Sequence, residues 1–274
     1  MTAGKVLIGC SGWDYPEWVG RFYPACGQVD RLARYSQVFP VVEVDSSFYN
    51  IPTERTVERW DHRTPRGFRF AAKFPQEITH RRRLEDCAEP LEAHYRAFHP
   101  LIRSGKVVAF LLQLPPSLPF DESKVRGFYA TLPTDPPVAV EFREKSWLCP
   151  ASYDLLREYH LSTTIVDEPF LPADLTLTNP DLAYMRWHGR GTTVWYDYRY
   201  SRDELKAWVP RVEEVASKAK LFLGFFNNHF RGDAPANALE IDEMLGIGPP
   251  PWSGRLDQPA IPSASTAPAS TDAP

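Results

Sequence analysis

Residues 6–13, Val6-Leu7-Ile8-Gly9-Cys10-Ser11-Gly12-Trp13, form an apolar run that ends at a glycine and a tryptophan. The run predicts a first β-strand over residues 6–11. In an open, doubly wound α/β sheet, a glycine-rich turn that binds phosphate commonly follows the first strand. Here the strand leads instead into prolines and aromatic residues, as far as Pro24. The stretch therefore favours a barrel over an open sheet.

Seven further apolar strands are predicted along the chain, and helical stretches follow most of them. The eight predicted strands cover residues 6–11, 41–48, 68–74, 107–114, 137–143, 163–167, 182–188 and 220–227. The connection between strands six and seven contains Pro169, Pro172 and Pro180, so its helix is predicted to be missing or reduced. This alternation over about 240 residues has the length and rhythm of a (β/α)8 TIM barrel. We therefore predict an α/β fold with one such barrel.

The ends of the chain differ in composition. Residues 1–248 contain all the predicted elements and form the predicted barrel domain. Residues 249–274 are rich in Pro, Ser and Ala and are predicted to be a disordered tail, because they contain too few apolar side chains to form a core. Trp252 is the one residue of this tail that could dock on the barrel.

Composition limits the class of protein. The formal net charge is -4, which gives no general attraction to nucleic acid or to an anionic membrane. No apolar run is long enough for a signal peptide or for a membrane span of about 20 residues. The four cysteines form no Cys-x-x-Cys pair, which is typical of free thiols in a reducing compartment. We therefore expect a cytoplasmic protein; the oligomeric state is not predicted.

Residues 184–190, Tyr184-Met185-Arg186-Trp187-His188-Gly189-Arg190, place two ionisable side chains on a predicted strand. Because side chains alternate along a strand, Arg186 and His188 share one face. A buried charge must be paired or must serve a function. The pair therefore marks a candidate site.

Polar residues also collect at the C-terminal ends of the other predicted strands. In barrel enzymes this end carries the active site. The candidate catalytic residues are Glu43, Lys73, Glu141 and His188. The candidate substrate-binding residues are Trp13, Tyr15, Asp45, Tyr49, Gln113, Arg143, Trp147, Asp167, Arg186, Arg190, Asn227 and Asn228.

These residue types indicate acid/base chemistry on a small anionic or polyhydroxylated substrate. Glu43 and Glu141 are the acid/base candidates, and His188 would transfer a proton or orient the substrate. The cations would bind an anionic group, in part through the loop that begins at Gly189 and Arg190; they are Lys73, Arg143, Arg186 and Arg190. Aromatic side chains would roof the pocket; they are Trp13, Tyr15, Tyr49 and Trp147.

Two other functions stay open at this stage. The first is metal-dependent hydrolysis of phosphoesters, including nucleic acids, since carboxylates and His188 are suitable ligands. The nearby cations would repel a divalent ion, so no cofactor and no metal site are predicted, although a divalent metal remains an alternative. The second is a barrel that binds a metabolite without converting it. A small molecule is the expected partner in each case; a membrane is not expected, and nucleic acid is not favoured.

Several runs also resemble a known family. They are residues 9–18, 22–24, 42–49, 70–73, 78–80, 113–116, 140–143, 146–147, 184–190 and 226–228, with Ala234, Asn237 and Ala238. On these runs the chain resembles the YecE-like domain-of-unknown-function 72 family over about residues 6–245. The resemblance implies a TIM barrel and no particular reaction. Cys10 and His229 stand where other residues are common in that family, so neither is assigned a role.

Overall fold

Residues 4–253 are described by the computed structural model. Eight parallel strands close into a barrel in chain order, with β8 beside β1. They are β1 (Lys5–Ser11), β2 (Val41–Val44), β3 (Arg69–Lys73), β4 (Val107–Gln113), β5 (Val138–Glu141), β6 (Ser162–Asp167), β7 (Leu182–Trp187) and β8 (Leu221–Phe226). The predicted fold is confirmed.

Helices of the described chain surround the strands. They are α1 (Arg31–Val38), α2 (Glu54–Arg63), α3 (Ala88–Arg103), α4 (Glu122–Tyr129), α5 (Pro150–Glu158), α6 (Arg202–Ala216) and α7 (Asp233–Met244). Side chains cap several N-termini, and α6 begins with a capping box in which Ser201 and Glu204 bond to each other's backbone. Residues 168–181 between β6 and β7 contain no helix, as their prolines predict.

The largest difference from the predicted strands is at β2. The strand was expected over residues 41–48, but it ends at Val44, and residues Ser46–Phe48 form a 3₁₀ turn. The Ser47 hydroxyl donates to the backbone carbonyl groups of Val44 and Lys73, which fixes this turn against β3. Asp45 therefore lies in a loop at the mouth rather than on a strand.

The barrel interior is filled by side chains from alternate strand positions. Small alanines at positions 71, 109 and 139 face larger groups such as Tyr184 and Phe225 in one buried cluster. The alanines leave space in which the long side chains of β7 can lie across the barrel axis. The second, larger cluster lies between the strands and the helices. The interior is thus a packed core that supports the mouth.

The end of the described chain packs on the face opposite the mouth. Trp252 Nε1 donates to the Ser36 carbonyl oxygen at 2.7 Å, and Ser253 Oγ donates to the Gln37 carbonyl oxygen at 2.6 Å. Trp252 and Ser253, which were assigned to the tail, therefore contact the barrel, and Trp252 is the residue that was expected to be able to dock. The remainder of the predicted tail, 254–274, lies outside the described residues. Within residues 4–253, no helix is long and apolar enough to cross a membrane.

Candidate active site

Arg186 on β7 joins two strands across the inside of the barrel. Its Nη2 donates to Glu43 Oε1 at 2.7 Å, and its Nη1 donates to Glu141 Oε2 at 2.8 Å. The three side chains are at most 1% exposed. Because an unpaired buried charge is strongly unfavourable, this bridge lets two carboxylates and a guanidinium stay ionised inside the protein.

Glu43 has further donors on neighbouring strands. Ser11 Oγ donates to its Oε1 at 2.6 Å, and the Tyr184 hydroxyl donates to its Oε2 at 2.5 Å. Burial and the Glu43 charge raise the pKa of Tyr184 well above its usual value, so the hydroxyl keeps its proton. Both oxygens of Glu43 therefore already accept hydrogen bonds within the protein.

Glu141 at the end of β5 is bound by two arginines. Arg186 contacts one oxygen, and Arg143 forms an ion pair with the other. Burial opposes ionisation, but the charges of Arg143 and Arg186 hold the pKa of Glu141 well below its usual value. Glu141 is therefore a permanent carboxylate near neutral pH and not a general acid.

His188 is the neutral member of this network. Burial, with the charge of Arg143 added, lowers its pKa to about 3. Arg143 Nη2 lies 2.8 Å from His188 Nε2, and the Asn227 amide lies 2.9 Å from Nδ1. An arginine can only donate, so His188 Nε2 accepts its hydrogen bond. The Asn227 atom nearest to Nδ1 is the amide nitrogen Nδ2.

Lys73 forms a separate pair at the mouth. Its Nζ lies 2.9 Å from Asp45 Oδ1 and 4.3 Å from the centre of the Phe48 ring. Burial would raise the pKa of Asp45, but the charges of Lys73 and Arg186 lower it, so Asp45 is an anion. Lys73 thus forms an ion pair with Asp45, as Arg186 does with Glu43 and Glu141.

The mouth is covered by aromatic side chains. The cover segment, residues 189–200, follows β7 and places Trp195 against Arg143 and Tyr196 against His188, at 5.6 Å and 6.2 Å. Phe170 from the connection after β6 packs on Trp195 at 4.8 Å. Glu43, Glu141 and His188 are 0% exposed beneath this cover. These three side chains are therefore not accessible from solvent.

Three predicted site residues lie outside the network. Asp167 points to the outer side of β6, where Trp208 Nε1 and Arg190 Nε donate to it at 3.3 and 3.1 Å. Arg190 is therefore tied to the helical layer rather than set free in an anion-binding loop. Trp147 donates to the Leu118 carbonyl oxygen at 2.7 Å and is 1% exposed, so it is part of the core.

The other predicted residues lie closer to the mouth. Tyr15 packs on His229 at 4.6 Å and donates to the Ser11 carbonyl oxygen, whereas Trp13 packs on Trp60 of α2 at 5.4 Å and contributes no roof. Tyr49 is 62% exposed at the rim.

Two amide residues complete the predicted set. Asn228 donates to the Tyr198 carbonyl oxygen and to Asn237, which anchors the cover segment to α7. Gln113 ends β4 and pairs in register with Glu141.

Residues to which the sequence analysis gave no role also reach the mouth. Ser11 and Tyr184 bind Glu43, and Trp195 and Tyr196 form the cover. Glu168 comes directly after β6 and faces Arg143. Asp167 and Glu168 are adjacent acids, and strand alternation indicates that only one of them can point inward. It does not indicate which one.

The carboxylates do not converge as a metal site. Within residues 4–253, no three His, Cys, Asp or Glu side chains are arranged to hold a metal ion. Arg186 lies between Glu43 and Glu141, and Asp167 points away from both. The donor set therefore does not fit the divalent ion that a metal-dependent hydrolase needs.

Comparison with known proteins agrees with this architecture. The chain is 30% identical to UPF0759 protein YunF of Bacillus subtilis (strain 168) over 272 residues, which covers 88% of this chain and 95% of that protein. The crystal structure of a DUF72 family protein from Thermotoga maritima MSB8 superposes with a TM-score of 0.82 at 32% identity, over 88% of this chain and 99% of that one.

A second crystal structure, of a DUF72 family protein from Enterococcus faecalis V583, superposes with a TM-score of 0.76 at 26% identity. It covers 89% of this chain and 96% of that one. Residues 7–261 match the family described as Protein of unknown function DUF72, and the motif resemblance is thereby confirmed. The chain belongs to the DUF72 family.

Proposed function

We propose that this protein is an enzyme that performs acid/base chemistry on a small polyhydroxylated or anionic substrate at the barrel mouth. The observation that carries the proposal is the buried network of Glu43, Arg186, Glu141, Arg143 and His188. It unites ionised and neutral groups with strongly shifted pKa values at the end of the barrel where catalysis takes place in this fold.

The side chains of the network fall into two sets with different proposed roles. Arg186 and its two carboxylates form a fixed frame, because every charged end is already paired. His188 and Arg143 lie at the edge of this frame, directly under Trp195 and Tyr196. A pKa near 3 makes His188 a weak base, so we assign it to orienting the substrate through neutral hydrogen bonds rather than to carrying a proton.

The charges favour a polyhydroxylated substrate over a strongly anionic one. Lys73, Arg143 and Arg186 each have a carboxylate partner. A phosphate or a second carboxylate would have to displace one of these partners. Hydroxyl groups can bond to arginine and carboxylate without separating them, and the aromatic cover suits the apolar face of a sugar-like ring. We also propose a cytosolic location, supported by four cysteines that are all free thiols.

A thermal-shift screen tests the proposal. Polyols, sugars, sugar phosphates, nucleotides and organic acids are incubated with the purified protein, with and without added divalent metals, and each stabilising compound is analysed by mass spectrometry. We expect a stabilising compound to be converted. His188→Ala and Glu141→Gln should lower the turnover by about 100-fold or more.

The matched control is Glu92→Gln on the exposed side of α3, which should leave turnover unchanged. Circular dichroism confirms that each variant is folded. If the stabilising compound is recovered unchanged, the protein binds a metabolite without converting it. If turnover appears only with added metal, the metal-dependent alternative gains and the present assignment fails.

A further inference from the structure

Two carboxyl groups flank Arg143 at neighbouring strand ends. Glu141 is the last residue of β5, and Glu168 follows the last residue of β6. Ile165 and Asp167 point outward, into the helical layer. Because strand side chains alternate, Glu168 points to the inner side, as Val166 beside Arg186 does.

The two carboxyl groups are bonded very differently. Both oxygens of Glu141 accept from arginines. The Glu168 side chain is 1% exposed, and its Oε2 has no hydrogen-bond partner among the described protein atoms. The nearest cation, Arg143 Nη1, lies 3.9 Å away, which is beyond hydrogen-bond distance. Glu168 is therefore a buried carboxyl group at the mouth with one oxygen, Oε2, that has no hydrogen-bond partner among the described residues and can act on another molecule.

The surroundings of the two groups separate their proton affinities. Burial raises the pKa of Glu168, and the charge of Glu141 adds to this; Arg143 and the backbone N–H groups of Phe170 and Leu171 oppose it. The pKa of Glu141 moves in the opposite direction. When their environments move the pKa values of two neighbouring carboxyl groups in opposite directions, one group commonly acts as a proton donor and the other stays an anion.

We propose that Glu168 is the general acid of this site and protonates a substrate oxygen on which negative charge develops. In this step the O–H bond of the Glu168 carboxyl group breaks and an O–H bond forms on the substrate. The carboxylate that remains faces Arg143, which stabilises it, and it takes a proton back from water when the product leaves. This role rests on the proposed enzymatic function.

Glu168 also differs from the candidates that the sequence suggested. Glu43 has donors on both oxygens, and Glu141 is held ionised. Either group would have to take up a proton before it could donate one, and that would break its ion pair with Arg186. Glu168 lies in the connection that carries Phe170, which packs on Trp195 of the cover segment, and its side chain is shielded from solvent.

The test combines a titration with kinetics. Protein carrying 13C-labelled glutamate is titrated, and Glu168→Gln identifies the Glu168 side-chain resonance by its loss. We expect this resonance to titrate above the usual glutamate pKa of about 4.3. Glu168→Gln should lower kcat by about 100- to 10,000-fold on the substrate found in the screen, with little change in KM. It should also abolish the fall of activity at high pH.

The control is Glu17→Gln, an exposed glutamate at the same end of the barrel, which should change none of these quantities. Titration of Glu168 at an ordinary pKa overturns the proposal, whatever the kinetics show. So does a raised pKa combined with wild-type kcat and pH profile in Glu168→Gln, and in that case the proposed enzymatic function stands. If the unmodified protein converts no stabilising compound, the proposed function fails first, and the catalytic role of Glu168 fails with it.

Discussion

Arg186 neutralises two carboxylates that come from strands on different sides of the barrel. Such a buried bridge adds little net stability, since the desolvation of the three charges offsets much of their attraction. Its loss is nevertheless severe, because Glu43 and Glu141 would remain buried without their common partner. This asymmetry predicts a large effect for a single substitution.

Arg186→Met should lower the free energy of unfolding by about 3–5 kcal/mol, because it leaves two buried carboxylates without a shared cation. Urea unfolding at neutral pH measures the change. Arg126→Met is the matched control: Arg126 is paired with Glu122 and Glu158 on the surface, and its loss should lower the stability far less than the loss of Arg186. Equal losses in the two variants would contradict a structural role for the Arg186 bridge.

Because its pKa is lowered by burial, His94 should make the stability of the folded protein depend on pH. It is fully buried among Phe74, Phe98 and Phe110, neither ring nitrogen has a partner among the described residues, and burial lowers its pKa to about 3. The unfolded chain binds a proton near pH 6.5, so below about that pH it holds more protons than the folded protein. Stability should therefore be fully present above about pH 6.5 and should fall as the pH drops toward 3.

His94→Phe should weaken this loss of stability in acid, because the new ring fills the aromatic site and does not titrate. At neutral pH the variant should be as stable as the wild type or more so, since two unpartnered nitrogens are removed. Denaturant unfolding across the pH range is the measurement. His99→Gln, on the exposed side of α3, should leave the pH dependence unchanged. If the stability of His94→Phe falls in acid as steeply as that of the wild type, His94 does not cause the loss of stability.

The sequence predicted the charged residues of the site better than their partners. Glu43, Glu141, Arg143, Arg186 and His188 were all named and lie together. That part followed from strand alternation and from the position of polar residues at strand ends. The choice between Asp167 and Glu168 could not be made, because it depends on which face of β6 meets α6, and Trp208 settles that only in the folded protein.

The strands and helices were predictable where their apolar pattern is regular. The structure contains all eight predicted strands and, as predicted, no helix between β6 and β7. The prolines of that connection explain why no helix forms there. The cover segment was not foreseen as a roof. It has no regular secondary structure, and its position depends on contacts of Trp195 and Tyr196 with residues far away in the chain.

Gly189 controls the path of the cover segment. Its φ of +91° lies in the region that favours glycine, and a Cβ atom there would lie 2.4 Å from the Trp195 carbonyl oxygen. Gly189→Ala should therefore displace the cover, increase proteolytic cleavage within residues 189–200 and weaken binding of the compound found in the screen. Limited proteolysis and thermal shift measure these effects.

Gly127→Ala is the control for that experiment. Gly127 lies in α4, and a Cβ atom added to it would meet no described atom within 4 Å. Alanine should therefore raise helix stability by about 0.5–1 kcal/mol and leave the cover intact. An intact cover in Gly189→Ala would show that the segment adapts to a side chain at this position.

The two ends of the barrel have separate tasks. The C-terminal ends of the strands carry the charged network and its cover, whereas the opposite face holds Trp252 against the residues that precede β2 and β3. Trp252 follows the predicted domain boundary at residue 248 and is the residue that the sequence analysis allowed to dock. Composition marks 249–253 as tail, and only the fold reveals that Gly67 leaves space for an indole ring.

Gly67 and Trp252 should be strongly coupled in stability. A Cβ atom at Gly67 would lie 2.1 Å from Trp252 Cζ3, so Gly67→Ala should expel the ring. Trp252→Ala should lower the free energy of unfolding by about 1–3 kcal/mol, because the ring is only partly buried. The double variant should be no less stable than Trp252→Ala alone, which urea unfolding tests.

Gly248→Ala serves as the control for this cycle, since no described atom lies near the place that its Cβ would take. It should leave stability within about 0.5 kcal/mol of the wild type. Additive losses in Gly67→Ala and Trp252→Ala would contradict the coupling.

The seat of Trp252 also has a practical consequence for how the protein can be handled. A sensor surface or a bead coupled at Ser253 itself lies at the face away from the mouth. The cover then moves without obstruction during a binding measurement. Coupling through a lysine near the mouth, such as Lys145, would instead bring the support beside the site.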